Sequence, residues 1–289
     1  MGTDVEILHG FPHLTTVHRA VTALYRRLSA AGVRDFVLSV PPADVAFSDD
    51  EDPYLGVQRV AGAIVRHLRL PDARMIVTFH GMRHAGSVEL AAGPEYFVEL
   101  NTRFKEHRRD IGAALAHEVT HVFLHRLGLA FTGTRDNEIL TDTVSAYLGA
   151  GWLLLDAYRE DALTTQKLGY LTPEEFGYVL ALRARAFGED PAPWFTSPRA
   201  YDAYAAGARR ARNEERRAPL AGAGRLGRHR YARDRRAGVS SAPAAYVFEG
   251  DPQRVRFPCP TCRQWLRVGC VGRVRVRCGV CGGVAECDT

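Results

Sequence analysis

His117-Glu118-Val119-Thr120-His121 is followed, seventeen residues after His121, by Glu138 within Asn137-Glu138-Ile139-Leu140-Thr141-Asp142. On a helix, two histidines four residues apart lie one turn apart on one face. Their imidazoles can converge on one tetrahedral Zn²⁺ at ~2.0–2.1 Å per bond. Glu118 sits beside them, placed to take a proton from a metal-bound water whose pKa zinc lowers from 15.7 to ~7. A catalytic zinc needs a third protein ligand and an open fourth position. Glu138 and Asp142 form an i,i+4 carboxylate pair on a predicted second helix. One can ligate the metal, and the other can accept the free ring N–H of a liganding histidine. A helix carrying two ordinary histidines is the plain alternative.

Working outward, a helix is expected over 110–128, with Asp110 as N-cap and Gly128 as stop. The loop 128–134, Gly-Leu-Ala-Phe-Thr-Gly-Thr, lets a second helix (136–159) fold back across the first. Upstream, helical spacing covers 15–31 and 54–68, and strands are expected at 36–40, 75–79, 86–90 and 96–101. Val5 opens a short apolar run at 5–8. Downstream, Thr172-Pro173-Glu174-Glu175 is a capping box with proline at the first helical position, and Ser197-Pro198 opens a further helix.

The pairing of the two stretches resembles the gluzincin metallopeptidases, the thermolysin-like group, whose pattern is HExxH and then NExxxD on a second helix. The resemblance is close over 96–142. It implies a peptide-bond hydrolase in which His117, His121 and Glu138 hold the catalytic zinc, Glu118 is the general base and Asp142 orients His117. It also implies that strand 96–101 is the edge strand along which an extended substrate lies. The family's oxyanion-stabilising tyrosine has no counterpart, which leaves His125, Arg135 and Tyr147 as weak candidates. His117 through His125 also resembles the HExxHxxLH of ImmA/IrrE-type peptidases, intracellular proteases that cleave transcriptional repressors. His125 lies about 12 Å along the helix from His117 and cannot share its zinc. A metzincin pattern fails, because Leu124 and Leu127 stand where that motif needs glycine and histidine.

All six cysteines fall in the last 31 residues. Cys259-Pro-Thr-Cys262 and Cys278-Gly-Val-Cys281 are two CxxC knuckles 15 residues apart, the spacing of a closed structural zinc site. With short strands at 255–257, 266–268 and 274–276, the segment resembles a zinc ribbon. Cys270 and Cys287 are left over, though either could replace a knuckle cysteine. A disulfide framework belongs with a secreted chain, and the N-terminus has no cationic start and no apolar h-region.

Composition sets the bounds. The 289 residues are 46% hydrophobic and 25% charged, the range of ordinary globular chains, which excludes wholesale disorder. The apolar runs are far shorter than the ~20 residues of a membrane span, so no membrane partner and a cytoplasmic location are expected. Residues 1–200 hold 20 Lys/Arg and 25 Asp/Glu, whereas residues 201–289 hold 18 and 8. An acidic body thus carries a basic tail, suited to an acidic protein or a nucleic acid. Arg273-Val-Arg-Val-Arg277 and Trp265 add to that surface.

The expected architecture is α+β: a zincin-like metallopeptidase domain (1–210), an Arg-rich linker (211–245) and a zinc ribbon (246–289), with one catalytic and one structural zinc and a protein or peptide substrate. Two alternatives remain. One is a non-catalytic zinc-binding adaptor or nucleic-acid-associated regulatory protein. The other is a dedicated regulatory protease that cleaves a single partner such as a repressor.

Overall fold

The computed structural model describes residues 7–48, 50–160, 165–251 and 253–289. Most of the apolar run 5–8 lies outside them or at their boundary. The periodic residues Val17, Val21 and Leu24 form the buried face of α1 (Leu14–Arg34), which kinks at Ser29. A single turn, α2 (Pro42–Val45), leads to α3 (Pro53–His67), where Asp52 caps the start by accepting from the N–H groups of Tyr54 and Leu55.

Strands β1 (Arg74–His80), β2 (Gly86–Val88) and β3 (Glu95–Asn101) form one sheet in the order β1-β3-β2. β1 runs parallel to β3 and β2 antiparallel to it. Tyr96, Val98 and Leu100 are buried while Glu95, Phe97 and Glu99 are exposed, the period of two expected of a half-covered sheet. This order corrects one expectation. Strand 96–101 is central, paired on both sides, and the sheet's edges are β1 and the short β2. A second expectation also changes. Residues 36–40 form no strand, because the carbonyls of Phe36 and Val37 accept from the buried Arg183 guanidinium instead of from a neighbouring strand.

Helix α4 (Ile111–Leu127) runs through the centre of the body with buried residues on nearly all sides, and it stops at Gly128 in the left-handed conformation (φ 60°). Asp110 does not cap it. Its carboxylate instead accepts from Arg159 at 2.6 and 2.9 Å and from Gln166 at 2.7 Å. The second helix is shorter than expected. α5 (Thr134–Leu148) ends at Gly149 (φ 110°), and α6 (Gly151–Asp156) resumes after the break. A small hairpin of β4 (Arg159–Glu160) and β5 (Thr165–Gln166) precedes α7 (Pro173–Phe187). Thr172 and Glu175 close the capping box of α7 at 3.0 and 3.1 Å. Helix α8 (Pro198–Glu215), capped by Ser197, packs along α7, with Gly177 and Gly207 permitting close backbone contact.

The stretch read as a linker is partly helical: the end of α8 and all of α9 (Arg225–Ala237) lie within it. Arg235 donates to the carbonyls of Cys270 and Thr289, and Asp234 accepts from Tyr246, so this helix packs on the cysteine-rich unit. That unit has two sheets, β6-β7-β8 (Val247–Glu249, Arg254–Pro258, Trp265–Gly269) and β9-β10 (Arg273–Arg277, Val284–Asp288). The chain leaving α8 runs beside β10, with Ala221 N–H donating to Glu286 and Asp288 N–H to Pro219. One hydrophobic core continues from the body into the ribbon. The fold is thus mixed α/β with small sheets and a C-terminal cysteine cluster. Among the described residues, no helix is long and apolar enough to cross a membrane.

Candidate metal centres

α4 and α5 lie side by side because the loop between them is only a few residues long, and this brings His117, His121 and Glu138 together. Nε2 of His117 is 3.1 Å from Nε2 of His121 and 3.1 Å from Oε2 of Glu138, and His121 Nε2 lies 3.2 Å from the same oxygen. Zinc bonds of ~2.0–2.1 Å set donor–donor edges of about 3.3–3.4 Å in a tetrahedron. The three donors therefore form one triangular face close to the size zinc requires. Their side chains keep 12%, 14% and 16% of their surface in solvent, so the outer side of that face is open.

The surroundings are acidic. Asp142, fully buried, places Oδ1 2.8 Å from Nδ1 of His117. The ring therefore donates from Nδ1 and leaves Nε2 free for a ligand. Thr141 Oγ1 lies 3.3 Å from His121 Nδ1 and also donates to the Asn137 carbonyl. Burial works against a charged His117, but hydrogen bonds to Asp142 and Glu138 prevail and hold its pKa well above the usual imidazole value. Burial also opposes ionisation of Glu138, yet the two histidines draw its carboxyl down to about 2. Glu118 is raised, chiefly by burial against the opposing pull of His117 and His121. Three carboxylates around two imidazoles favour a cation at their centre. The donor set and the charge both fit zinc.

Glu118 lies beneath the short edge strand. A Cβ built on Gly86 of β2 would come within 2.9 Å of its Oε1, so a larger residue there would push the Glu118 side chain aside. Tyr170 had no signal in the sequence. It lies on the segment before α7, and its ring stacks on His117 with centroids 6.1 Å apart. That segment is fastened to the site by Asp142 Oδ2, which accepts from the N–H groups of Tyr170 and Leu171. Gly169 (φ 80°) makes the close approach possible. The three weak oxyanion candidates lie elsewhere. Tyr147 is buried against Tyr25, Arg135 contacts His13, and His125 is exposed toward the end of α4.

The second centre is built from both knuckles. Cys259, Cys262, Cys278 and Cys281 are buried, with Sγ atoms within 4.8 Å of one another, and Cys270 and Cys287 stand outside the group. The Cys259–Cys281 and Cys262–Cys278 sulfur pairs are 3.7 and 3.5 Å apart. Zn–S bonds of ~2.3 Å imply edges of about 3.8 Å, so these are spacings of a shared ion rather than of disulfides. N–H groups of Val280 and Gly283 point at Cys278 and Cys281, each at 3.4 Å, and favour the thiolate forms. The fifth residue of each knuckle is left-handed. In the second knuckle it is Gly282 (φ 71°) and in the first it is Arg263 (φ 64°). Arg263 directs its guanidinium at Glu214 of α8, 2.7 Å away, and so ties the ribbon to the body. No known family model, curated protein or solved structure matches the chain.

Proposed function

We propose that this chain is a zinc-dependent peptidase of the gluzincin kind, with a second, structural zinc in its ribbon. The observation that supports the reading most directly is the face of donors from His117, His121 and Glu138, open to solvent on one side and flanked by Glu118. Zinc held there would polarise a peptide carbonyl and make water a nucleophile near neutral pH. Glu118, its pKa raised by burial, takes the proton from the attacking water and delivers it to the departing amine. Asp142 keeps the His117 ring oriented. Tyr170 is the hydroxyl this reading assigns to the carbonyl oxygen of the substrate.

β2 supplies the substrate platform. Asn101 N–H bonds the Ala85 carbonyl and Glu89 N–H the Phe97 carbonyl, so the odd-numbered residues of this segment face β3. The N–H and C=O groups of Gly86 and Val88 therefore point to the open edge, on a strand whose Gly86 faces Glu118. An extended peptide added there lies across the metal face.

The decisive experiment compares metal content and peptide hydrolysis in full-length protein. His121→Ala should lower zinc from about two per chain to one. Glu118→Gln should keep both ions and lose at least ~10²-fold in hydrolysis of a broad peptide library. Full zinc in the wild type with no turnover of any peptide would leave only a structural metal site and end the peptidase reading. Undiminished activity in Glu118→Gln would remove the base assignment.

A further inference from the structure

Between α1, the end of α8 and the first knuckle of the ribbon lies a groove of about 840 Å³. It is separate from the metal face and has no role in the proposed hydrolysis. Six arginines line it, Arg19, Arg26 and Arg27 from α1, Arg210 and Arg217 from α8 and its exit, and Arg263 from the knuckle, against one carboxylate, Glu214. Glu214 is shared three ways, 2.7 Å from Arg263, 3.0 Å from Arg210 and 3.9 Å from Arg217. Arg26 is bonded to the neutral amide of Gln264, and Arg27 to the Leu127 carbonyl. Among the described residues, only Arg19 has a carboxylate of its own, Asp136 at 3.3 Å. The Nε of buried Arg263 has no hydrogen-bond partner among the described residues. Among the described residues, the groove therefore carries more guanidiniums than carboxylates.

The layout of the cations points to a polyanion. Arg19 and Arg26 are seven residues apart on α1, about 10 Å along its axis, too far to close on one phosphate. Aromatic surface is interleaved with the charge. Trp265 lines the groove with 41% of its surface exposed and Arg256 over its ring, and Phe11 and Phe131, which carry Arg210 and Arg19 over their faces, form parts of the wall. Spaced guanidiniums beside aromatic faces suit a strand whose phosphates and bases alternate. An acidic polypeptide would use the charge but not the stacking surface.

We propose that this groove binds single-stranded nucleic acid, with the arginines of α1 on the phosphates and Trp265 stacking on a base. The proposal does not depend on peptidase activity, because its readout is binding alone.

The test uses the full-length protein and a fluorescein-labelled oligodeoxythymidylate of about 20 nucleotides, read by fluorescence anisotropy over a range of salt concentrations. Saturable binding is expected, weakening steeply with salt. Arg19→Ala with Arg26→Ala should weaken it about tenfold or more and make the log–log salt slope shallower by about 1.4, for two lost phosphate contacts. Trp265→Ala should weaken binding by about fivefold or more and leave the slope unchanged. Replacing Arg273, Arg275 and Arg277 of β9 by alanine should change affinity less than about twofold. Circular dichroism would establish that each variant is folded. Absence of saturable binding by the wild type overturns the proposal, as does loss of binding in the β9 variant with the groove variants unaffected. Displacement by poly-glutamate at equal charge concentration would assign the groove to acidic polypeptides and overturn it too.

Discussion

Asp142 holds His117 with one carboxylate oxygen and the backbone of Tyr170 and Leu171 with the other, so a single buried side chain fixes both a candidate metal ligand and the loop above it. Removing it should act at two places. Asp142→Ala frees the His117 ring and leaves two N–H groups without an acceptor. Zinc affinity at the histidine site should fall by about 10–100-fold, measured by competition with a chelator. Amide exchange at residues 169–171 should rise in the same variant. Unchanged exchange there would show that the loop is held by other contacts, the Lys167 ammonium on the Gly169 and Leu171 carbonyls foremost.

Tyr170 keeps its ring on His117 whether or not it carries a hydroxyl. Tyr170→Phe should therefore preserve packing and metal content while removing the donor proposed for the carbonyl oxygen. Loss of one such donor costs about 10²–10³ in kcat. The drop should appear in kcat with KM nearly constant, because the hydrogen bond forms as charge develops. A rise in KM alone would make Tyr170 a binding residue.

The left-handed Arg263 makes a direct comparison of backbone and charge possible. Relieving that conformation with glycine is worth about 1–2 kcal/mol. Unpairing a buried carboxylate costs about 3–5 kcal/mol, less here because Arg210 remains on Glu214. The second effect is the larger, so Arg263→Gly should lower the stability of the full chain and loosen the ribbon from α1 and α8. Thermal unfolding with amide exchange at Thr22, whose hydroxyl donates to the Cys262 carbonyl, would show both. A variant more stable than the wild type would mean that the ion pair contributes nothing net.

The donor set was legible in the sequence because its geometry is local. A spacing of four on α4 and of four on α5 fixes which side chains share a face, and a loop too short to reach elsewhere fixes which helices meet. The edge strand was not legible. Which of three strands is central depends on pairings between distant segments, and β3 carries the same alternation whether it has one neighbour or two. Residues 36–40 misled for a related reason, since the carbonyls of Phe36 and Val37 are taken by Arg183, nearly 150 residues away. Tyr170 sits in a loop with no period to read, and its backbone is bonded to Asp142, 28 residues away. Helix α9 has almost no apolar stripe, burying only Tyr231 and Asp234, so its arginines, glycines and alanines read as a connector.

His18 carries the clearest pH dependence outside the metal centres. Its Nε2 lies 2.8 Å from the Tyr178 hydroxyl, which itself donates to Glu214. The phenol oxygen therefore accepts from a neutral His18 ring. Burial, reinforced by the nearby charge of Arg263, pulls the His18 pKa down to about 3 from the ordinary 6.5. Below pH 6.5 the unfolded chain takes up a proton that the folded chain refuses until about pH 3. This contribution to stability is therefore whole above 6.5 and lost as the pH falls, at about 1.4 kcal/mol per unit. Glu214 is shifted downward as well, and its contribution begins to be lost only as the pH falls through the ordinary carboxyl value of 4.5, so it adds nothing between pH 7.5 and pH 5. His18→Gln removes the histidine term. The stability difference between wild type and variant should move by about 2 kcal/mol in favour of the variant between pH 7.5 and pH 5. Both chains carry the same metal ligands, so acid effects on those cancel in the comparison. Denaturant unfolding at the two pH values measures the difference, and a constant gap would show that His18 is free to protonate where it sits.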